Sequence, residues 1–214
     1  MIQEALAQRK LPELMRFSNG KKVATPEDWR KRREEILALL RREIYGFSPE
    51  PPEAVRGVVM GAKRDIFAGK ADQSLISVEF GTPRGSFCFE VTMIVPKRVK
   101  KPPVFLHISF RSNGQIDPVP YEELVDNGYA VASFCYEDIS PDRDDGFMTG
   151  LPAAYPRDAK TGWGKLSVWA WAASRVMDYL CTSTDIDCSS WTFPAGENRF
   201  MVRRPGRTIF PWDL

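Results

Sequence analysis

The chain has 214 residues, 43% hydrophobic and 27% charged, with a formal net charge of +2. That length and balance fit one globular domain rather than a disordered chain, and the near-neutral charge argues against a nucleic-acid partner, whose footprint is a clustered basic face. No apolar run approaches the ~18 residues of a membrane span, and the first residues carry no basic-then-apolar leader, so a cytoplasmic protein without membrane contact is expected. Cys88, Cys135, Cys181 and Cys188 show no C-x-x-C pair or metal-ligand spacing and read as reduced thiols. His107 is the single histidine, so any serine–histidine chemistry within this chain must use it.

In chain order, a polar, irregular start gives way to a helix from Thr25. Thr25 is the predicted N-cap, Pro26 suits the first helical position, and Asp28 stands at capping-box spacing. Trp29, Arg33, Ile36, Leu37, Leu40 and Ile44 form a stripe at three- and four-residue spacing, expected to pack against a sheet, and Gly46 should stop the helix. The period then changes. Val55 to Met60, Leu75 to Phe80 and Ser86 to Val95 have strand composition, with Gly81-Thr82-Pro83-Arg84-Gly85 as a turn. Alternation from Phe87 to Met93 predicts antiparallel pairing. Pro103 to Phe110 and Tyr129 to Tyr136 are nearly continuous apolar runs, which suit parallel strands covered on both faces. A short helix, Tyr121 to Asp126, lies between them and makes a βαβ unit.

Residues 137–164 read as one long acidic, Gly- and Pro-rich loop, of the kind that is functional or disordered. Glu137, Asp138, Asp142, Asp144 and Asp145 have the oxygens a hard cation takes, but the spacing misses a calcium loop, so a solvated acidic loop is expected and no metal or cofactor is assigned. Lys165 to Cys181 is a strong helix. Trp163, Trp169 and Trp171 cluster around it as core, with Trp163 as a candidate platform for a sugar. After Asp185-Ile186-Asp187 a further buried strand should begin, yet no period of strand or helix survives in Cys188 to Leu214.

Several motifs in order carry a resemblance. They are Gly128-Tyr129-Ala130-Val131-Ala132, Tyr136-Glu137-Asp138-Ile139-Ser140-Pro141-Asp142-Arg143-Asp144-Asp145-Gly146-Phe147, Trp163-Gly164-Lys165, Val168 to Arg175, and Met177-Asp178-Tyr179-Leu180, ending at Asp185-Ile186-Asp187. Together they resemble the glucuronoyl esterases and acetyl-xylan-esterase-like relatives of the α/β-hydrolase superfamily, over roughly residues 11–187. The resemblance implies a truncated α/β-hydrolase: a mixed sheet with antiparallel N-terminal strands, then parallel strands flanked by helices. It implies a carboxylic ester hydrolase acting on small-molecule or oligosaccharide esters derived from plant polysaccharides, with a serine nucleophile and no cofactor. In that family a strand after Asp187 would run into a nucleophile elbow, G-H-S-R-x-G-K, which exposes the serine at a sharp turn. This sequence has no G-x-S-x-G, and no histidine after His107, so no catalytic side chain carries over. Only the strand-end loop Arg111-Ser112-Asn113 matches a region on the oxyanion side, where it would offer a backbone N–H.

Residues 188–214 are expected to be an aberrant tail, out of frame, with residues 1–187 as the N-terminal part of one hydrolase domain. Back-translation one base forward carries the argument. Trp191-Thr192 forces glycine; Thr192-Phe193 allows histidine, Phe193-Pro194 serine, and Pro194 to Gly196 arginine and leucine; Glu197-Asn198 permits only lysine or arginine; Met201-Val202 forces tryptophan. The shifted tail can read G-H-S-R-L-G-K-T-A-L-W and continue C-A-A-Q-D-E-R-F, an elbow and the start of a helix. A small deletion just after Asp187 accompanies it. Arg199, Arg203, Arg204 and Arg207 are then accidental rather than a nucleic-acid face. The alternative is a non-catalytic, carbohydrate-binding remnant of a hydrolase.

Overall fold

A computed structural model describes residues 12–111 and 119–191, with side chains described through Asp187. The chain divides into two compact units, Met1–Gly46 and Phe47–Leu214.

In the first unit, helix α1 spans Pro26–Leu40. The predicted cap is formed: the Asp28 N–H donates to Thr25 Oγ1 at 3.0 Å, and the Thr25 N–H donates to Asp28 Oδ2 at 3.2 Å. Both orphan donors at the helix start are thereby satisfied. A π-helical turn, Arg41–Tyr45, extends the helix, and Gly46 ends it at φ 73°, where a side chain would be strained. Of the predicted stripe, Leu37 is buried while Ile44 is 62% exposed, because the wider π turn rotates Ile44 off the apolar face.

The second unit is built on a six-stranded sheet in the order β1-β2-β3-β5-β4-β6. Its strands are β1 Val55–Asp65, β2 Ala71–Thr82, β3 Gly85–Pro96, β4 Pro103–Ser109, β5 Ala130–Cys135 and β6 Asp187–Trp191. β1 to β3 form an antiparallel meander, β3 meets β5 antiparallel, and β5, β4 and β6 run parallel. The mixed sheet expected from the sequence is the one observed. The meander is longer than composition suggested. β2 and β3 stay paired as far as Thr82 and Gly85, which shrinks the expected five-residue turn to Pro83-Arg84. The link from β1 to β2 turns through Asp65, Phe67 and Ala68, all at positive φ. A charge network holds it: Lys97 pairs with Asp65, and Asp72 accepts from Arg64 at 2.6 Å and from the Asp65 N–H at 3.1 Å.

Why β4 and β5 read as continuous apolar runs is visible in their two faces. Val104, Leu106, Ile108, Ala130, Ala132 and Phe134 share one buried cluster with Val168, Ala172 and Val176 of helix α4, Lys165–Leu180. Phe105 and Val131 point the other way and meet Ile94 and Val125, the last on helix α2, Tyr121–Asp126. Alternate residues therefore need a hydrophobic cover on both sides. The acidic loop is not one structureless segment. It contains a one-turn helix α3, Tyr136–Ile139, and a 3₁₀ turn, Leu151–Ala154.

One expectation is corrected. The sequence offered no strand after Asp187, yet β6 pairs parallel with β4, Pro103 with Asp187 and Val104 with Trp191, with a register irregularity between them. A ladder needs extended backbone, not hydrophobic period, so Cys188-Ser189-Ser190-Trp191 can join it without any apolar alternation. Residues 192–214, the bulk of the expected aberrant tail, lie outside the described residues. Among the described residues no helix is long and apolar enough to cross a membrane.

Candidate active-site region

In open α/β sheets, ligands bind beyond the C-terminal ends of the parallel strands. At the end of β4, Ser109 turns the chain. Its hydroxyl donates to the Arg111 carbonyl at 3.0 Å and accepts from the Arg111 N–H at 3.0 Å. The Arg111 N–H is thus engaged by Ser109. Ser112 and Asn113, the rest of the candidate oxyanion-side loop, lie outside the described residues. Phe110 leaves the sheet here and is 50% exposed.

At the end of β5, helix α3 brings Tyr136 beside Phe110, ring centroids 4.9 Å apart. Trp169, from the first half of α4, backs both rings, 5.1 Å from Tyr136 and 6.3 Å from Phe110. The Trp169 indole N–H donates to the Ser140 carbonyl at 2.8 Å, which fixes the ring's orientation. The Tyr136 hydroxyl donates to Glu137 Oε1 at 3.2 Å.

Beside them lies a polar knot that sequence reasoning missed. Lys165 donates to Ser140 Oγ and Asp145 Oδ1, each at 2.8 Å, and Thr149 donates to the other oxygen of Asp145. The Asp145 carboxyl is held well below the usual carboxylate range, chiefly by the Lys165 hydrogen bond and then by Thr149. Lys165 and Arg157 both lie over the Phe147 ring, 4.8 and 3.5 Å from its centre. Gly150 closes the knot at φ 65°, where a Cβ would stand 2.2 Å from the Ile139 carbonyl oxygen. The sequence showed Asp145 only as one of five acidic residues. No local spacing announces a partner twenty residues away. Asp138 differs from Asp145: burial, then repulsion from Glu90 and Glu137, raises its carboxyl. Burial likewise pushes the Cys135 thiol up, which makes it a poor nucleophile.

The other candidates sit elsewhere. Trp163 is 2% exposed, its ring edge-on to Tyr155 at 5.5 Å and Trp171 at 5.6 Å. Its carbonyl accepts from Arg157 at 2.8 Å, so it ties the acidic loop to the start of α4. His107 lies on the α2 side of the sheet. Its Nδ1 is 2.9 Å from the Tyr121 hydroxyl and 3.3 Å from Ser133 Oγ, and Tyr121 also donates to Ser133 at 3.2 Å. His107 is thus a half-buried, hydrogen-bonded ring on the face opposite α4. A groove of about 880 Å³, lined by Pro49, Pro52, Glu79, Thr82, Ser86 and Tyr155, lies at the β2–β3 hairpin and the segment before β1, away from the C-terminal ends of β4 and β5. Among the described residues no group of three or more His, Cys, Asp or Glu could hold a metal ion.

Comparison with known proteins gives this arrangement its class. No family model matches the chain. Carbohydrate esterase MZ0003, from an unknown prokaryotic organism, is 25% identical over 221 residues, covering 83% of this chain and 50% of that protein. A 4-O-methyl-glucuronoyl methylesterase of Schizophyllum commune is 25% identical over 178 residues, covering 82% of this chain and 40% of its own length. The solved glucuronoyl esterase from Solibacter usitatus superposes with a TM-score of 0.76 at 26% identity, over 86% of this chain and 57% of that one. The sheet and its helices are those of an α/β-hydrolase. Within that superfamily these neighbours point to the glucuronoyl esterase family, carbohydrate esterase family 15, and the partial coverage fits the N-terminal part of its fold. The chain spans half or less of the length of the two curated relatives.

Proposed function

We propose that this chain carries the N-terminal part of a serine carboxylic ester hydrolase for glucuronoyl or acetylated sugar esters, and that it lacks the nucleophile elbow and is inactive as it stands. Residues 188–214 are the aberrant segment in this reading. In the whole enzyme the serine attacks the ester carbonyl, backbone N–H groups hold the oxyanion, and water releases the acid. By resemblance, the strand-end loop Arg111-Ser112-Asn113 supplies one such backbone N–H.

The tail carries the reading. β6 covers Asp187–Trp191 and the shifted-frame glycine spans Trp191-Thr192, so the recovered motif comes after a strand segment in the sequence, the order that a strand-to-helix nucleophile turn needs. The test is expression of the 214-residue chain beside a frame-restored version, each assayed on the methyl ester of glucuronic acid and on acetylated xylan. The expected result is hydrolysis by the restored protein, abolished when its elbow serine becomes alanine, and none by the 214-residue chain. Hydrolysis by the 214-residue chain itself would overturn the proposal. So would a restored protein that folds and leaves both esters intact.

A further inference from the structure

We propose that Phe110, backed by Tyr136 and Trp169, is a stacking platform for the pyranose ring of the ester substrate, with the Tyr136 hydroxyl and the Glu137 carboxylate meeting the ring's own hydroxyls. The inference rests on the esterase reading above, from which it takes the sugar. Four observations carry it.

First, Phe110 is a large aromatic left 50% exposed directly after the last residue of β4, on the face that Val104, Leu106 and Ile108 turn to α4. Second, it is not a lone surface ring. It stands 4.9 Å from Tyr136 and 6.3 Å from Trp169, with Tyr136 and Trp169 a further 5.1 Å apart, so three rings form one body. Third, the body is rigid at its base. Trp169 is 3% exposed and its indole N–H is bonded to the buried Ser140, whose hydroxyl is held by Lys165. A platform fixed before binding loses little conformational freedom when a ligand arrives. Fourth, the polar rim is of the right kind. A pyranose has an apolar C–H face and a hydroxyl edge, and here an exposed carboxylate and a phenol lie together beside the rings. The place is also right, since these residues cap β4 and β5 at their C-terminal ends.

The experiment is saturation-transfer NMR on the full 214-residue chain, with the methyl ester of glucuronic acid as probe. The expected result is saturation of the sugar's ring C–H protons. Phe110→Ala should weaken binding about tenfold, equivalent to about 1.4 kcal/mol. Phe110→Trp should keep it, and Val59→Ala, an exposed residue on β1, should leave it unchanged. Melting curves of the Phe110 variants should show a cooperative transition, with Phe110→Trp near the parent and Phe110→Ala shifted only slightly down, because the side chain is half exposed. Absence of saturation transfer with the parent chain, or equal binding by Phe110→Ala, would overturn the platform. The same substitution in the frame-restored protein separates the two proposals. Ester hydrolysis with an unchanged KM in Phe110→Ala removes the platform and leaves the esterase. Sugar binding that depends on Phe110, with no hydrolysis by the restored protein, keeps the platform and favours the binding-remnant reading instead.

Discussion

Arg175 is the most demanding residue in the core of the second unit, and its partner Asp178 should be correspondingly costly to remove. Arg175 is 0% exposed. Its Nε donates to Asp178 Oδ2 at 2.7 Å, Nη2 makes an ion pair with the same oxygen at 2.7 Å without hydrogen-bond geometry, and Nη1 has no hydrogen-bond partner. The guanidinium carbon stands 4.4 Å over the Trp171 ring, and burial lowers the group's proton affinity, opposed first by Asp178. Breaking such a buried pair from one side leaves an uncompensated charge, a loss of about 3–5 kcal/mol. The Asp178 side chain keeps 20% of its exposure, so water can partly replace it and the lower end applies. Asp178→Ala should therefore cost about 3 kcal/mol, or roughly 6–12 °C in Tm for a chain of this size. The double variant Arg175→Met, Asp178→Ala removes both charges and keeps most of the volume, and should recover all but about 1 kcal/mol. Urea unfolding of the 214-residue chain, followed by tryptophan fluorescence, measures both. A loss below about 1 kcal/mol for Asp178→Ala, or a double variant no more stable than the single, would refute the reasoning.

Two further predictions concern packing and pH. A Cβ at Gly57 would lie 2.2 Å from the Tyr179 ring, so Gly57→Ala should destabilise the chain by about 1–3 kcal/mol, and Tyr179→Ala should relieve the clash in the double variant, both read by the same unfolding assay. Asp145 has a folded-state carboxyl pKa below its unfolded value, so its contribution is complete above the unfolded value and fades as pH falls through the folded one. Stability measured from neutral pH downward should begin to fall near about pH 5, and Asp145→Asn should be less stable at neutral pH with a shallower acid limb. An unchanged acid limb in that variant would assign the loss to other carboxylates, Asp72 first, whose pKa Arg64 and the Asp65 N–H bring down to about 2.

Elements that depend on local chemistry were legible in the sequence. Thr25 and Asp28 specify a cap by themselves, Tyr121 to Asp126 forms the short helix expected between the two apolar runs, and the apolar runs of β4 and β5 state that both faces are covered. Long-range partners left no local trace. Nothing in the sequence marks Arg175 as a buried residue paired with Trp171 and Asp178. The Lys165–Asp145–Ser140 knot is likewise invisible until the acidic loop folds back on α4. β6 was missed because backbone pairing, not side-chain period, defines it. Phe110 was counted as the end of a strand. Its 50% exposure, and the rings of Tyr136 and Trp169 beside it, show only in the folded chain.

The central claim is that the chain leaves the esterase frame after Asp187, and the gene itself tests it most directly. DNA sequenced from the codon for Asp185 to well beyond the codon for Leu214 should read, one base forward from Trp191, glycine, histidine, serine and arginine. It should then continue as a long open frame with a downstream acid and histidine. Codons incompatible with that reading, or a shifted frame that closes within a few codons, would contradict the account and make Cys188 to Leu214 a genuine part of this protein.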